Sequence, residues 1–196
     1  MNHPGMINTV SKINSNTFEW SKENFFKVQS IIDKYPIGKQ QSAVIPVLDL
    51  AQRQNGGCLT KNIIEKVAET LSMSFIRVME VASFYSMFNL EPVGKNFIQI
   101  CRTTPCWLRG SDKLLEVAKN ITGCNLGETS KDNKFTLVEV ECLGGCCNAP
   151  VVQINDNYFE DLDEDNFRKL INKIKSNESL DIGSQIGRKN SEPKKN

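Results

Sequence analysis

Two hydrophobic rhythms divide this chain, and they change near Pro92. Before that point, apolar residues recur every three or four positions, the spacing that lines one face of an α-helix. Ser21 reads as the N-cap of a first helix that runs to Tyr35 with Phe25, Val28 and Ile32 on one face. Pro36 opposes its continuation. Gln40 to Gln54 repeats the pattern through Val44, Val47, Leu48 and Ala51; Pro46 sits in its first turn or kinks it, and Asn55-Gly56-Gly57 stops it. Thr60 caps a third helix carrying Ile63, Ile64, Val67 and Leu71. Ser74 opens a fourth through Val78, Val81, Ala82 and Tyr85. Four short helices predict a small bundle over residues 18–90, preceded by a polar, disordered lead-in over 1–17. Phe84, Tyr85 and Phe88, with Met73, Met79 and Met87, read as core packing in that bundle; a seam against the next domain or a partner is the alternative.

Beyond Pro92 and Gly94 the pattern shortens. Phe97-Ile98-Gln99-Ile100 reads as a buried strand, and Ser111 to Asn120 as a helix with Leu114, Leu115 and Ala118 inward and Gly123 as its stop. Phe135 to Val140 alternates as a strand and Val151 to Ile154 is another. Asn155-Asp156-Asn157 then turns into a short strand at Tyr158-Phe159. A last helix begins near Asp163 and places Phe167, Leu170, Ile171 and Ile174 on one face. Strand, helix, several strands and a helix make an α/β or α+β domain over residues 91–177, which a thioredoxin-like layout fits. Residues 178–196 are poor in apolar side chains and read as a disordered tail.

Composition narrows the function classes. With 196 residues the chain can bury a core without covalent staples. Its 24 basic and 23 acidic side chains give nucleic acid or an anionic membrane no field to follow. The N-terminus has no secretory n-region and h-region and fits a mitochondrial presequence poorly, and no apolar run approaches a membrane span. A cytosolic chain is expected, with its seven cysteines reduced.

Those cysteines then become the candidate chemistry. Cys101 and Cys106 follow one strand directly, and Cys142 and Cys146 follow another. If the two strands are parallel neighbours, both loops leave the sheet at the same end and four sulfurs can converge. Structural zinc favours tight C-x2-C knuckles, whereas these pairs are spaced C-x4-C and C-x3-C. A [2Fe–2S] cluster needs two thiolates on each of two irons, and a C-x4-C element is one known solution. A thioredoxin-type dithiol would require C-x-x-C. Gly144 and Gly145 allow close approach of backbone N–H groups to sulfur; Arg102 and Arg109 could raise a reduction potential but read more simply as solvated surface residues. Cys58 and Cys124 read as small inert thiols. Cys147 competes with Cys146, since Cys142 and Cys147 would reproduce the first spacing. A cis bond before Pro150 would suit a thioredoxin-like loop.

Several stretches together carry a resemblance. They are Phe84 to Phe88, Pro92-Val93-Gly94-Lys95, Cys101 to Gly110, Gly127-Glu128-Thr129, and Glu141 to Cys146 continuing through Asn148-Ala149-Pro150. Over about residues 18 to 176 the chain resembles the E-subunit family of NADH-quinone oxidoreductase, the thioredoxin-like [2Fe–2S] ferredoxin subunits of respiratory complex I. The resemblance implies an α/β fold of a small N-terminal helical bundle followed by a thioredoxin-like [2Fe–2S] domain. It implies one [2Fe–2S] cluster on Cys101, Cys106, Cys142 and Cys146, which selects Cys146 over Cys147. It also implies docking onto a flavoprotein subunit that carries FMN and binds NADH, in part through the N-terminal helices, within a peripheral arm on the cytoplasmic side of the bacterial inner membrane or in the mitochondrial matrix. The chain departs from the family where Cys58 often stands as Trp, Cys147 as a residue such as Val, and Gly145 as Ala. It has no G-x-G-x-x-G after a strand and no Walker loop, and its one histidine is His3, so hydride chemistry is expected on a partner.

Overall fold

The computed structural model describes residues 17–189, so all but the last residue of the lead-in expected over 1–17 lies outside the described residues. The chain divides into two compact units between Pro92 and Val93.

The first unit contains α1 (Lys22–Ile32), α2 (Val44–Gln54), α3 (Lys61–Leu71) and α4 (Phe75–Phe84). Ser21 caps α1 as expected, its hydroxyl accepting from the Asn24 amide at 3.2 Å. The single helix expected from Gln40 is instead a 3₁₀ turn at Gln40–Ala43 followed by α2. Pro46 explains the break: it offers no N–H to the Ser42 carbonyl, and its ring crowds that group, so the α-helix starts later. Val28, Val47, Leu48, Ile63, Ile64, Val67, Leu71 and Val78 form the buried centre.

The expectation that Phe84 and Tyr85 pack in the core is overturned. Phe84 is 74% exposed and Tyr85 40%, stacked edge-to-face at 5.0 Å, and Met87 is also exposed; of the three aromatic residues only Phe88 is buried. Phe84 stands two residues past the buried Ala82, nearly opposite it on α4, and the helix ends there, so Tyr85 no longer follows the inward face. Phe25 is likewise exposed, edge-on to Phe26, while Val28 is buried.

The second unit is built on β1 (Asn96–Cys101), β2 (Glu128–Thr129), β3 (Phe135–Val140), β4 (Val152–Ile154), β5 (Asn157–Glu160) and β6 (Gly183–Ser184), in the order β2-β3-β1-β4-β5-β6. β1 runs parallel to β3 and antiparallel to β4. Between β1 and β2 lie a short α5 (Thr104–Leu108) and α6 (Ser111–Thr122); α7 (Glu164–Lys175) follows β5. Gly123 ends α6 with φ +71°, and Asp163 starts α7 with a capping box shared with Asn166. α6 packs on α7, β1 and β3, and Ile98, Ile100, Leu114, Leu137, Phe135, Phe159, Phe167 and Ile171 fill the core. No helix among the described residues is long and apolar enough to cross a membrane.

The tail expected from residue 178 is corrected as far as residue 189. β6 pairs in parallel with β5, and Arg188 forms an ion pair with the fully buried carboxylate of Asp161 at 2.6 Å. Composition concealed this because the segment is held mainly by main-chain pairing and one charged fork, with Leu180 as its apolar contact on the core.

Gly94 enters the sheet where no other residue fits. A Cβ there would stand 2.7 Å from the Phe135 carbonyl carbon, and the Gly94 amide donates to Thr136 Oγ1 at 2.6 Å. Gly94→Ala is expected to cost about 1–3 kcal/mol by forcing β3 aside. Leu137→Ala, which empties the centre of the sheet, should cost about 2–5 kcal/mol. Leu126→Ala, at an exposed site, should stay within about 0.5 kcal/mol of the parent in the same chemical denaturation series.

Candidate metal centre

The parallel register of β1 and β3 pairs Cys101 with Val140. Both strands therefore finish at the same edge, and the loops that follow them leave side by side. The first loop turns at once into α5: Thr103 takes the N-cap position, Pro105 occupies the first turn where its missing N–H costs nothing, and Cys106 points inward with 1% exposure. The second loop carries Cys142, Gly144 and Cys146, and Cys146 opens a 3₁₀ turn, Cys146–Asn148, that packs against α5. The Ala149–Pro150 bond after it is cis.

The sulfurs converge. Cys142 Sγ and Cys146 Sγ are 3.3 Å apart, and the Gly144 amide donates to Cys142 Sγ at 3.4 Å, a direction that its φ of +85° makes accessible. Thr103 Oγ1 lies 3.3 Å from Cys101 Sγ. Electrostatically, Cys101 interacts with Cys106 within the first loop, and across the two loops the Leu143 amide acts on Cys101 while Cys101 and Thr103 act on Cys142. Cys101 and Cys106 are buried beside Ala149 and Val151, with Leu143 and Tyr158 packed against them. Cys142 and Cys146 are exposed. Tyr158 closes the arrangement by donating its hydroxyl to the Leu143 carbonyl at 2.9 Å.

Electrostatics separates the members of each pair. Burial opposes ionisation of Cys101, yet hydrogen bonds from the Thr103 hydroxyl and from the Leu143 and Thr103 amides bring its thiol below the ordinary value. Cys106 is pushed up to about 12 by burial and then by the neighbouring Cys101. The Gly144 amide, followed by Cys146 and Thr103, holds Cys142 low, and Cys142 in turn raises Cys146, with burial adding to the effect. In each pair the first thiolate disfavours the second, so four thiolates can coexist only around a strongly cationic group.

This donor set fits a [2Fe–2S] cluster. All four candidate ligands are thiols, they fall into two pairs, and one amide and one hydroxyl already aim at sulfur. Among the described residues, no group of three or more His, Cys, Asp or Glu side chains is drawn together closely enough to hold one metal ion, so the four cysteines stand as two pairs and not as a single-ion site.

The remaining expectations resolve individually. The sulfur beside Cys142 is that of Cys146. Cys147 is exposed, and its carbonyl accepts from Arg188 Nη2 at 2.6 Å. Cys58 is buried, its thiol raised by burial against an opposing hydrogen bond from Asn55; Cys124 is buried with its sulfur against the Thr122 and Phe135 carbonyls. Arg102 is only partly solvated: it pairs with Glu139 at 3.1 Å, and its Nε is buried without a partner among the described residues. Arg109 lines an open cleft of about 440 Å³ with Lys113, Leu162 and Glu164. Sequence reasoning missed Thr103, although a hydroxyl two residues past a cysteine in a turn is a readable signal. It also missed Tyr158 and Arg188, whose partners lie 15 and 41 positions away and leave no local trace.

Comparison with known proteins sets this geometry among relatives. A sequence model of the family described as thioredoxin-like [2Fe–2S] ferredoxin matches residues 28–175. The chain is 55% identical to the E subunit of NADH-quinone oxidoreductase from Rickettsia prowazekii over 161 residues, 82% of this chain and 91% of the relative. It is 50% identical to a Dictyostelium discoideum protein named NADH dehydrogenase [ubiquinone] flavoprotein 2, mitochondrial, over 89% of this chain and 71% of the relative. Among solved structures, an NAD+-reducing [NiFe]-hydrogenase chain in the air-oxidised state matches 66% of this chain with a TM-score of 0.59 at 22% identity. That match spans 23% of the longer hydrogenase chain and shows a shared fold. The chain belongs to the thioredoxin-like [2Fe–2S] ferredoxin family.

Proposed function

We propose that this chain is the [2Fe–2S] electron-transfer subunit of the NADH dehydrogenase module of NADH-quinone oxidoreductase, and that Cys101, Cys106, Cys142 and Cys146 hold its one cluster. The observation that carries the reading is the convergence of two strand-end thiol pairs, one buried and one exposed, with hydrogen-bond donors already aimed at sulfur. The cluster, when bound, supplies one-electron exchange. The chain's own residues set the conditions for it. Ala149 and Val151 exclude water from Cys101 and Cys106, the Gly144 amide and Thr103 hydroxyl stabilise thiolate charge, and the exposed Cys142–Cys146 edge faces outward.

NADH oxidation and the splitting of a hydride into single electrons belong, on this reading, to FMN on a flavoprotein partner, since the sequence offers no dinucleotide-binding turn. The other partners are the remaining components of the peripheral arm, on the cytoplasmic face of a bacterial inner membrane or in the matrix of a mitochondrion. A related role in an NAD-reducing hydrogenase shares the fold, but the relatives at 55% and 50% identity favour the respiratory complex.

Anaerobic preparation is expected to yield about two irons and two sulfides per chain with a reduced-state EPR signal. Stoichiometric zinc without sulfide would refute the reading. Cys142→Ser should weaken or abolish iron retention, whereas Cys124→Ser and Cys147→Ser should retain it; equal iron in all three variants would overturn the ligand assignment. Thr103→Val removes a donor to the Cys101 sulfur while leaving the cysteine in place. It should lower the midpoint potential, and Thr103→Ser should restore it, as followed by EPR-monitored redox titration.

A further inference from the structure

The segment that follows the family match is tied to the loop that carries Cys146. Asp161 sits at the end of β5 with φ +55° and its side chain fully buried. Arg188 meets it in a two-pronged fork, Nε donating to Oδ2 at 2.7 Å and Nη2 to Oδ1 at 2.6 Å, and Ser184 Oγ adds a third hydrogen bond to Oδ2 at 2.7 Å. The same Arg188 Nη2 donates to the Cys147 carbonyl at 2.6 Å, and the Asp161 amide donates to the Asn148 carbonyl at 2.7 Å. Two consecutive carbonyls directly after Cys146 are therefore held by the two partners of one ion pair. The fork is in turn anchored by the pairing of β6 with β5.

A buried carboxylate must be neutralised by a well-placed cation or it destabilises the fold. Lysine could supply charge but not the planar fork, which here bonds both carboxylate oxygens and a main-chain carbonyl at once. We infer that Arg188 is a positioning residue for the metal centre: together with Asp161 it clamps Cys147 and Asn148 so that Cys146 is presented beside Cys142, and it places a positive charge next to the site. This inference rests on the four-cysteine reading for its redox consequences, while the clamp itself is a property of the chain alone.

The test uses the full chain with and without iron loading, and compares Arg188→Gln, Arg188→Lys, the double variant Asp161→Asn with Arg188→Gln, and Lys173→Ala. The last breaks only the exposed contact of Lys173 with Asp181. In the metal-free protein, hydrogen exchange at the amides of Asn148, Ala149 and Asp161 should accelerate about tenfold in Arg188→Gln and in the double variant, with Ile98 and Leu137 unchanged. The double variant removes both charges, so its result stands even where Arg188→Gln alone is poorly folded. Arg188→Lys should recover thermal stability without recovering protection of the loop. In the iron-loaded protein, Arg188→Gln should lose iron to a chelator about tenfold faster, alter the reduced-state EPR signal and lower the midpoint potential, and Lys173→Ala should do none of these. Unchanged loop exchange in the double variant, or exchange raised equally across the sheet, would overturn the clamp. If the wild-type protein binds no iron while the variants still show the loop effect, the cluster reading is refuted and the clamp stands.

Discussion

The parallel pairing of β1 with β3 is the constraint on which the site depends. Antiparallel pairing would send the loop after Cys101 and the loop after Val140 to opposite ends of the sheet, and no side-chain adjustment could then bring Cys101 and Cys142 within reach. A parallel pair requires a crossover, and α5 and α6 provide most of it. α5 carries Cys106 on its buried side, and α6 covers the β1–β3 face that makes the pairing worth forming. Fold and site are thus solved by the same stretch of chain. Gly94 contributes from the other end, since its missing Cβ lets the chain pass against Phe135 just before β1 pairs with β3.

Within the site, the division between buried and exposed sulfurs organises the chemistry. Cys101 and Cys106 sit in an apolar collar where charge is costly, which is why Cys106 resists ionisation so strongly. Cys142 and Cys146 lie at the surface, where the Gly144 amide stabilises the first of them. A cationic group bridging the two pairs would relieve the mutual repulsion of the thiolates and leave one edge accessible to an electron partner.

Periodicity revealed the four helices, the strands at Phe97, Phe135 and Val151, and the start of α7, because each carries an unbroken apolar face or a strong cap. The four candidate cysteines were legible for a related reason: their spacing and their position after strands are local properties. What escaped was non-local or short. α5 is little more than one turn and begins inside the C-x4-C loop, and β2 and β6 are two residues each, too brief for any period to register. The exposure of Phe84 and Tyr85 escaped because hydrophobicity alone does not tell that Phe84 falls on the outward face of α4 or that the helix stops before Tyr85. Arg188 lay in a stretch whose composition argued for disorder, and its ordering comes from one buried carboxylate far away in sequence.

Iron K-edge X-ray absorption on the anaerobically prepared full chain tests the central claim most directly, since it reads the ligand atoms and the second metal together. The predicted result is an all-sulfur first shell around iron with an iron neighbour beyond it. A single isolated metal, or a first shell containing nitrogen or oxygen, would contradict the four-cysteine cluster.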